Sequence, residues 1–169
     1  DDIGFCAFTA AVDRLRAADP EGTLLLDAGD AFCTNFWGGL PLVGAANRNG
    51  TDVMCLGNHE FDRGPDFLHT CLNDCHFPVL CANIREKESG HLIPGTAPTV
   101  MLERCGVKIG VLGLTTEYTP YMVNRSVFET FEVTSGAEAA KLYIPQLRAA
   151  GAEVVVVLTH FPFYQSPEG

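Results

Sequence analysis

The order of apolar and polar residues alternates between helical and extended periodicity along the chain. Over Phe5–Ala18, apolar residues recur three and four positions apart with charged residues between them, which predicts an amphipathic helix that ends before Pro20. A short apolar run over 23–26 leads into Asp27-Ala28-Gly29-Asp30 and predicts a buried strand. This strand would place the Asp30 carboxylate at its carboxyl end.

A second and a third unit repeat the same plan. Helices are predicted over 40–47 and 65–72, and strands over 53–56 and 79–82. The first of these two strands runs directly into Gly57-Asn58-His59-Glu60, so it would deliver further polar side chains at its carboxyl end.

The second half of the chain begins with a predicted hairpin. The predicted elements are strands over 99–103 and 107–114 joined at Arg104-Cys105-Gly106, a helix over 137–150 that contains Pro145, and a strand over 154–158 that ends at Thr159-His160. That last strand has the clearest pattern of a buried strand. The segments 85–98 and 115–134 lack periodicity, and we expect a connection in the first and irregular structure in the second.

Strands that alternate with helices predict an α/β fold, in which a largely parallel sheet carries helices on both faces. Ligand sites in such folds form beyond the carboxyl ends of the strands. Asp30, Asn58, His59 and His160 all follow predicted strands. We therefore expect these four side chains at one edge of the sheet.

The charge balance limits the partners that this chain can bind. It has 11 basic and 21 acidic residues, a formal net charge of −10. This excess of acid argues against binding to nucleic acid or to anionic lipid, because both depend on Lys and Arg. A small anionic substrate would need bound cations to reverse the local field. No apolar run approaches the roughly 20 residues needed to cross a bilayer, so we expect no transmembrane segment in this chain.

The seven cysteines leave the redox compartment open. None stands in a Cys-x-x-Cys pair, which argues against a structural zinc site. Cys71, Cys75 and Cys81 form the group best suited to a disulfide, and the pairing of the cysteines is left open. Glycosylation triplets at 49–51 and 124–126 favour a secreted, periplasmic or cell-surface protein, and the location is otherwise left open.

Asp30, Asn58 and His160 offer the carboxylate, amide and imidazole ligands that zinc, manganese and similar divalent ions accept. One carboxylate can bridge two cations about 3.5–4 Å apart, which together activate a water and neutralise the phosphate oxygens that it attacks. Each residue alone also has a structural explanation, as a turn, a helix cap or a hydrogen-bonded histidine. Together they favour a metal site. Phe36 and Trp37 follow Asp30 closely and are candidate walls of a pocket.

The string Gly57-Asn58-His59-Glu60-Phe61-Asp62, preceded by Gly29-Asp30 and followed by a strand ending in His, resembles the calcineurin-like metallophosphoesterase superfamily. Within it, the chain is similar to the 5′-nucleotidase family over nearly its whole length. The segments that carry this similarity are 26–30, 56–64, 77–84 and 113–116.

The resemblance implies a role for each candidate residue. Asp30 would bridge two divalent ions (zinc, manganese, cobalt or similar), and Asn58 and His160 would bind the second of them. His59, oriented by Asp62, would be the catalytic group, and Asn58 and His59 would contact the substrate. The implied reaction is removal of phosphate from a nucleoside 5′-monophosphate by a metal-bridging hydroxide.

The resemblance also implies that part of the site lies elsewhere. Family members carry an Asp-x-His motif on a first strand, a Gly-His-x-His motif on a later strand and a carboxyl-terminal nucleotide-binding domain, none of which is present in residues 1–169. The expected fold is a layered α/β/β/α sandwich truncated at both ends. We expect such a segment to bind metal weakly by itself and, because missing strands would expose sheet edges, to associate.

Several functions remain open at this point. A nucleotide-sugar or 2′,3′-cyclic-nucleotide hydrolase, or a hydrolase of a sulfur-linked ester, would share the visible residues, because substrate choice lies mainly outside them. A non-catalytic protein that keeps the fold is the alternative from a different class. The joint presence of Asp30, Asn58, His59, Asp62 and His160 argues against that last possibility.

Overall fold

The computed structural model describes residues 4–32 and 39–162. Its helices are α1 (Phe5–Ala18), α2 (Leu40–Asn49), α3 (Pro65–Asp74), α4 (Thr119–Met122), α5 (Arg125–Phe128) and α6 (Gly136–Ala149). Its strands are β1 (Leu26–Asp27), β2 (Val53–Cys55), β3 (Val79–Leu80), β4 (Ile84–Glu86), β5 (Thr99–Arg104), β6 (Val107–Thr115), β7 (Phe131–Val133) and β8 (Val154–His160). A 3₁₀ turn spans His59–Phe61.

The strands form two three-stranded sheets and a two-stranded ribbon. The first sheet has the order β1-β2-β3, and all its strands are parallel. The second has the order β5-β6-β8, in which β5 is antiparallel to β6 and β8 is parallel to it. Strands β4 and β7 pair antiparallel in the ribbon. In the described part of the chain, the outer strands are therefore β1 and β3 in the first sheet and β5 and β8 in the second.

The side chains of β2 show how the layers stack. Met54 belongs to a cluster with Val43 of α2 and Leu68 of α3, on the outer side of the first sheet. Val53 and its alternate Cys55 face the other way and pack with Val111 of β6, between the two sheets. Helix α6 covers the outer face of the second sheet. The layers are therefore helix, sheet, sheet and helix, which confirms the predicted α/β/β/α sandwich.

The helix predictions for the first three units and for α6 are confirmed, since each observed helix overlaps the predicted range. The predicted hairpin is also confirmed, with Arg104 opposite Val107. The prediction that 115–134 is irregular is wrong in part, because it contains α4, α5 and β7. The predicted connection 85–98 begins inside β4, a strand of three residues whose partner β7 lies far along the chain, so its local sequence shows no strand pattern.

Strand β8 is less buried than its apolar sequence predicts. Val154 and Val157 are 43% and 40% exposed, and no residue of the strand is fully buried. The reason is its edge position, since only β6 pairs with it in the described part of the chain.

Cys71, Cys75 and Cys81, the group best suited to a disulfide by sequence, are all free thiols, so no disulfide forms among them. Burial raises the pKa of Cys71 to about 11 and that of Cys75 to about 12, which keeps both thiols protonated near neutral pH and disfavours their oxidation. Among the described residues, no helix is both long and apolar enough to span a membrane.

Candidate functional site

Asp30 and His160 come together from different sheets. Asp30 follows β1 of the first sheet, and His160 is the last residue of β8 in the second. His160 Nε2 lies 3.1 Å from Asp30 Oδ2, and His160 Nδ1 lies 2.7 Å from the carbonyl oxygen of Ala28. Because a carbonyl oxygen only accepts hydrogen bonds, Nδ1 carries a proton and donates it. Nε2 is thereby directed at the carboxylate.

The backbone of Asp30 has an uncommon conformation, with φ at 63°. Few non-glycine residues adopt this left-handed region, although Asp is among those that tolerate it. The conformation is held from both sides: Asp30 N–H donates to Glu60 Oε2 at 2.8 Å, and Asp30 Oδ1 accepts from the backbone N–H of His59 at 2.9 Å. The bend aims the second carboxylate oxygen at His160.

Glu60 connects the loop after β1 to the loop after β2. Its side chain is fully buried and accepts hydrogen bonds from the backbone N–H groups of Asp30, Phe32 and Gly57 at 2.8, 2.9 and 2.6 Å. Burial raises the pKa of Glu60, and these three donors oppose that effect. The prediction that Glu60 holds the loop through backbone contacts is confirmed.

Two glycines allow these loops to touch. Gly29 has φ at 96°, and a Cβ there would overlap the backbone nitrogen of Gly57. A Cβ on Gly57 would overlap the carboxylate and the backbone nitrogen of Asp30. Only residues without a side chain permit this approach.

Asn58 lies at the carboxyl end of β2, just before the 3₁₀ turn. It is 1% exposed, and its Nδ2 has no hydrogen-bond partner in the described part of the chain. Asn58 stands at the N-cap position of this turn, but its side chain makes no capping hydrogen bond, so capping does not account for this side chain. A buried amide donor without a partner is rare in native proteins, so this Nδ2 calls for an acceptor such as a water or a ligand oxygen.

His59 and Asp62 form a pair at the surface of the site. His59 Nδ1 lies 2.7 Å from Asp62 Oδ2, and the two side chains are 42% and 31% exposed. The hydrogen bond that His59 donates to Asp62 raises the pKa of His59. Asp62 does not cap α3, whose N-cap is Gly64 without a side-chain bond. The carboxylate therefore orients the imidazole and leaves Nε2 available.

The electrostatics of Asp30 and His160 are coupled. Burial raises the pKa of Asp30, but the hydrogen bonds from His160 and from the His59 N–H outweigh it and leave that pKa lowered. The hydrogen bond to Asp30 raises the pKa of His160. Either a proton on His160 Nε2 or a cation bound beside it can therefore balance the negative charge of the Asp30 carboxylate.

These residues fit one part of a metal site. Two ligand atoms that lie about 2.1 Å from one ion, roughly a right angle apart, are about 3 Å from each other, which matches the separation of Asp30 and His160. The Nδ1 bond to Ala28 is the outer contact that metal-bound histidines commonly make. Among the described residues, however, no three His, Cys, Asp or Glu side chains converge to hold an ion. The donor set is one carboxylate, one imidazole and the Asn58 amide.

Space remains beside this donor set. A cleft of about 410 Å³ runs between α1 and α2 and reaches Asp27 and Asp30. Residues Phe36 and Trp37, predicted as pocket walls, lie outside the described residues.

Sequence reasoning missed several residues that shape the site. Asp27 accepts from the N–H of Gly29 at 2.9 Å and so builds the turn that carries Asp30, a role that its spacing from Gly29 could have signalled. The carbonyl of Ala28 orients His160, and no side-chain pattern could have revealed it. Thr115 lies opposite His160 in the pairing of β6 with β8.

Comparison with known proteins finds similar sequences and similar structures of related kinds. The chain matches no family model. It is 33% identical to a snake venom 5′-nucleotidase from Gloydius brevicauda over 98% of its own length and 29% of that protein. It also resembles the crystal structure of a 5′-nucleotidase precursor from Thermus thermophilus, with a TM-score of 0.80 and 33% identity over 90% of this chain and 30% of that one.

A third similarity is to the calcineurin-like phosphoesterase YfkN from Bacillus subtilis, with a TM-score of 0.80 and 25% identity over 94% of this chain and 54% of that one. The chain spans less than a third of the length of the curated relatives that it matches first.

Proposed function

We propose a function from the family to which this chain belongs, the 5′-nucleotidases of the calcineurin-like phosphoesterases. The chain contributes part of the active site of a metal-dependent hydrolase that removes phosphate from nucleoside 5′-monophosphates. The observation that carries this proposal is the convergence of Asp30 and His160 from separate sheets, with Nε2 of His160 facing the carboxylate at 3.1 Å.

Asp30, Asn58 and His160 are the residues that would hold divalent ions. Bound there, such ions supply a water of lowered pKa and positive charge for the phosphate oxygens. Asn58 would bind an ion through its amide oxygen. Its Nδ2, buried and without a hydrogen-bond partner among the described residues, is a donor that could bind a phosphate oxygen of the substrate. Since the donor set is incomplete, we propose that segments outside residues 1–169 supply the remaining ligands and the nucleoside-binding domain.

His59 acts on the substrate. Asp62 holds Nδ1, so Nε2 points away from the pair and can donate a proton to the leaving oxygen or a hydrogen bond to the phosphate. The raised pKa of His59 favours the protonated form that this role needs. Its exposed side chain gives a substrate access.

Binding of Mn²⁺ to the chain, measured by titration calorimetry, tests the metal site without relying on activity. We expect weak binding that disappears in Asp30→Ala and in His160→Ala. His76→Ala is the matched control, because His76 is exposed and distant from the strand ends that carry the site. Binding should be weaker at pH 6 than at pH 8, since a cation must displace a proton from an imidazole whose pKa is raised.

Three results of this titration would contradict the proposal, and the first is that the wild-type chain binds no Mn²⁺. Unchanged binding in both Asp30→Ala and His160→Ala would place the ion elsewhere, and tight binding of two ions per chain would show that no further ligands are needed. For the substrate, phosphate release by the longer polypeptide should be faster from adenosine 5′-monophosphate than from the 2′,3′-cyclic nucleotide. The reverse order would favour a cyclic-nucleotide hydrolase.

A further inference from the structure

A buried hydroxyl links the two halves of the site. Thr115 Oγ1 donates to the carbonyl oxygen of Leu56 at 2.6 Å, and both residues are fully buried. Thr115 is the last residue of β6 in the second sheet, and Leu56 follows β2 in the first. The bond therefore spans the gap between the sheets, two residues before Asn58.

This bond runs beside the one that His160 makes. Thr115 and His160 lie opposite each other on the parallel strands β6 and β8. His160 donates to Ala28 after β1, and Thr115 donates to Leu56 after β2. Neighbouring residues of one sheet thus bind neighbouring loops of the other, as two adjacent contacts between the layers.

Asn83 fixes the backbone of Thr115. Its Oδ1 accepts from Thr115 N–H at 2.9 Å, and its Nδ2 donates to the Thr115 carbonyl at 2.8 Å. The pairing of β5 with β6 ends at Leu112, so this side chain supplies the bonds that a neighbouring strand would otherwise provide. Asn83 is itself fully buried.

The direction of the hydroxyl bond is determined by its surroundings. The single proton of Thr115 Oγ1 goes to Leu56, because a carbonyl oxygen can only accept. The thiol of Cys81, 3.5 Å away, is then the donor to the hydroxyl oxygen. The hydroxyl has a donor and an acceptor, and it has no freedom to rotate toward another partner.

We propose that Thr115 is a positioning residue. Its bond to Leu56 sets where the ends of β6 and β8, and with them His160, lie relative to Asp30 and Asn58. That the positioned residues bind metal rests on the proposed function. The positioning itself rests on the hydrogen bonds of Thr115 and His160 across the two sheets.

The test compares Thr115→Val with Thr119→Val. Thr119 is an equally buried threonine whose hydroxyl donates to a backbone carbonyl at 2.6 Å, but its partner is Thr116, three residues away on the same segment. Both variants lose one buried hydroxyl, and only the first loses a bond between the sheets. Thr115→Ser restores the hydroxyl.

The first readout is the Nδ1–H signal of His160 in a ¹H–¹⁵N spectrum of the metal-free chain, which reports the bond to Ala28. We expect Thr115→Val to weaken or shift this signal, and Thr119→Val and Thr115→Ser to keep it. The second readout is the dissociation constant for Mn²⁺, which should rise about 10-fold or more in Thr115→Val alone, as for other contacts that orient metal ligands.

A His160 signal and a Mn²⁺ affinity that are the same in Thr115→Val and Thr119→Val would overturn the inference. Should valine prevent folding through its contact with the Leu56 carbonyl, Thr115→Ala removes that contact and makes the same comparison. If the wild-type chain binds no Mn²⁺ yet Thr115→Val still shifts the His160 signal, the proposed function fails and the positioning inference stands.

Discussion

At the scale of single residues, His59 and Asp62 are the pair whose proposed role differs most from that of the metal ligands. Their hydrogen bond of 2.7 Å orients the His59 imidazole, which does not take part in the contact between the two sheets. His59→Ala should therefore remove a catalytic group and leave the ion-binding residues in place. Asp30→Ala should remove both.

In the longer polypeptide, we predict that His59→Ala lowers kcat by about 10²–10⁴-fold, the range typical of a lost general acid, with metal content unchanged. Asp62→Asn keeps the side-chain shape and should have a smaller effect in the same direction. Steady-state kinetics and metal analysis of the purified variants measure the two quantities. Unchanged turnover in His59→Ala would exclude the catalytic role.

The sequence predicted the candidate residues, because ligand-type side chains followed predicted strands and the Gly-Asn-His-Glu string is restrictive. It could not predict how they are held. The left-handed backbone of Asp30 and the Ala28 carbonyl that orients His160 arise from contacts between distant segments, which leave no pattern in the local sequence.

At the scale of elements, the loops after β1 and β2 pack closely only because Gly29 and Gly57 have no side chains. We predict that Gly57→Ala destabilises the chain by about 1–3 kcal/mol, because its Cβ would overlap the Asp30 carboxylate. Gly44→Ala is the matched control: it lies exposed within α2 with no neighbouring atoms in the way, and should stabilise by about 0.5–1 kcal/mol. Urea denaturation measures both. Equal effects would contradict the proposed crowding.

The turn of the β5–β6 hairpin contains a strained cysteine. Cys105 and Gly106 have φ values of 49° and 78°, the paired positive angles of a two-residue turn in which Asn-Gly is favoured. We predict that Cys105→Asn raises the free energy of unfolding by up to about 1 kcal/mol, and that Cys105→Val lowers it by about as much. Thermal denaturation compares the two, and a stabilising valine would contradict the argument.

Elements with a strong period or a clear apolar run were predicted, whereas the short strands β4 and β7 were not. Helices α1 and α6 carry their own amphipathic pattern. Strand β7 has three residues and pairs with β4, almost fifty positions earlier, so its local sequence resembles a loop. The sequence of β8 predicted burial, but exposure of a strand depends on which strand lies beside it.

At the scale of the whole molecule, the bare edge of β8 should govern self-association. Strand β8 contains four consecutive valines, and in the described part of the chain no strand pairs with its outer side. Such unpaired edges associate readily with other chains. We predict that Val157→Lys lowers association in sedimentation velocity over a range of concentrations. Val107→Lys is the control, because Val107 has similar exposure on the central strand β6. Equal effects of the two lysines would point to general charge.

The layered architecture followed from the alternation of strands and helices together with the resemblance to a known family. The division into two sheets did not follow from alternation, which predicted one largely parallel sheet. The division depends on β2 burying both of its faces, Met54 toward the helices and Val53 toward β6, and a short apolar run does not reveal which layers cover it.

The bond between His160 and Ala28 joins residues 132 positions apart in the chain. Closing so long a loop is slow, and we expect this contact to form late in folding. An ion that needs both Asp30 and His160 has nowhere to bind until β8 has been synthesised and the two sheets have docked. Metal capture would then coincide with the last step of folding, and bound metal would draw the equilibrium toward the docked state by mass action.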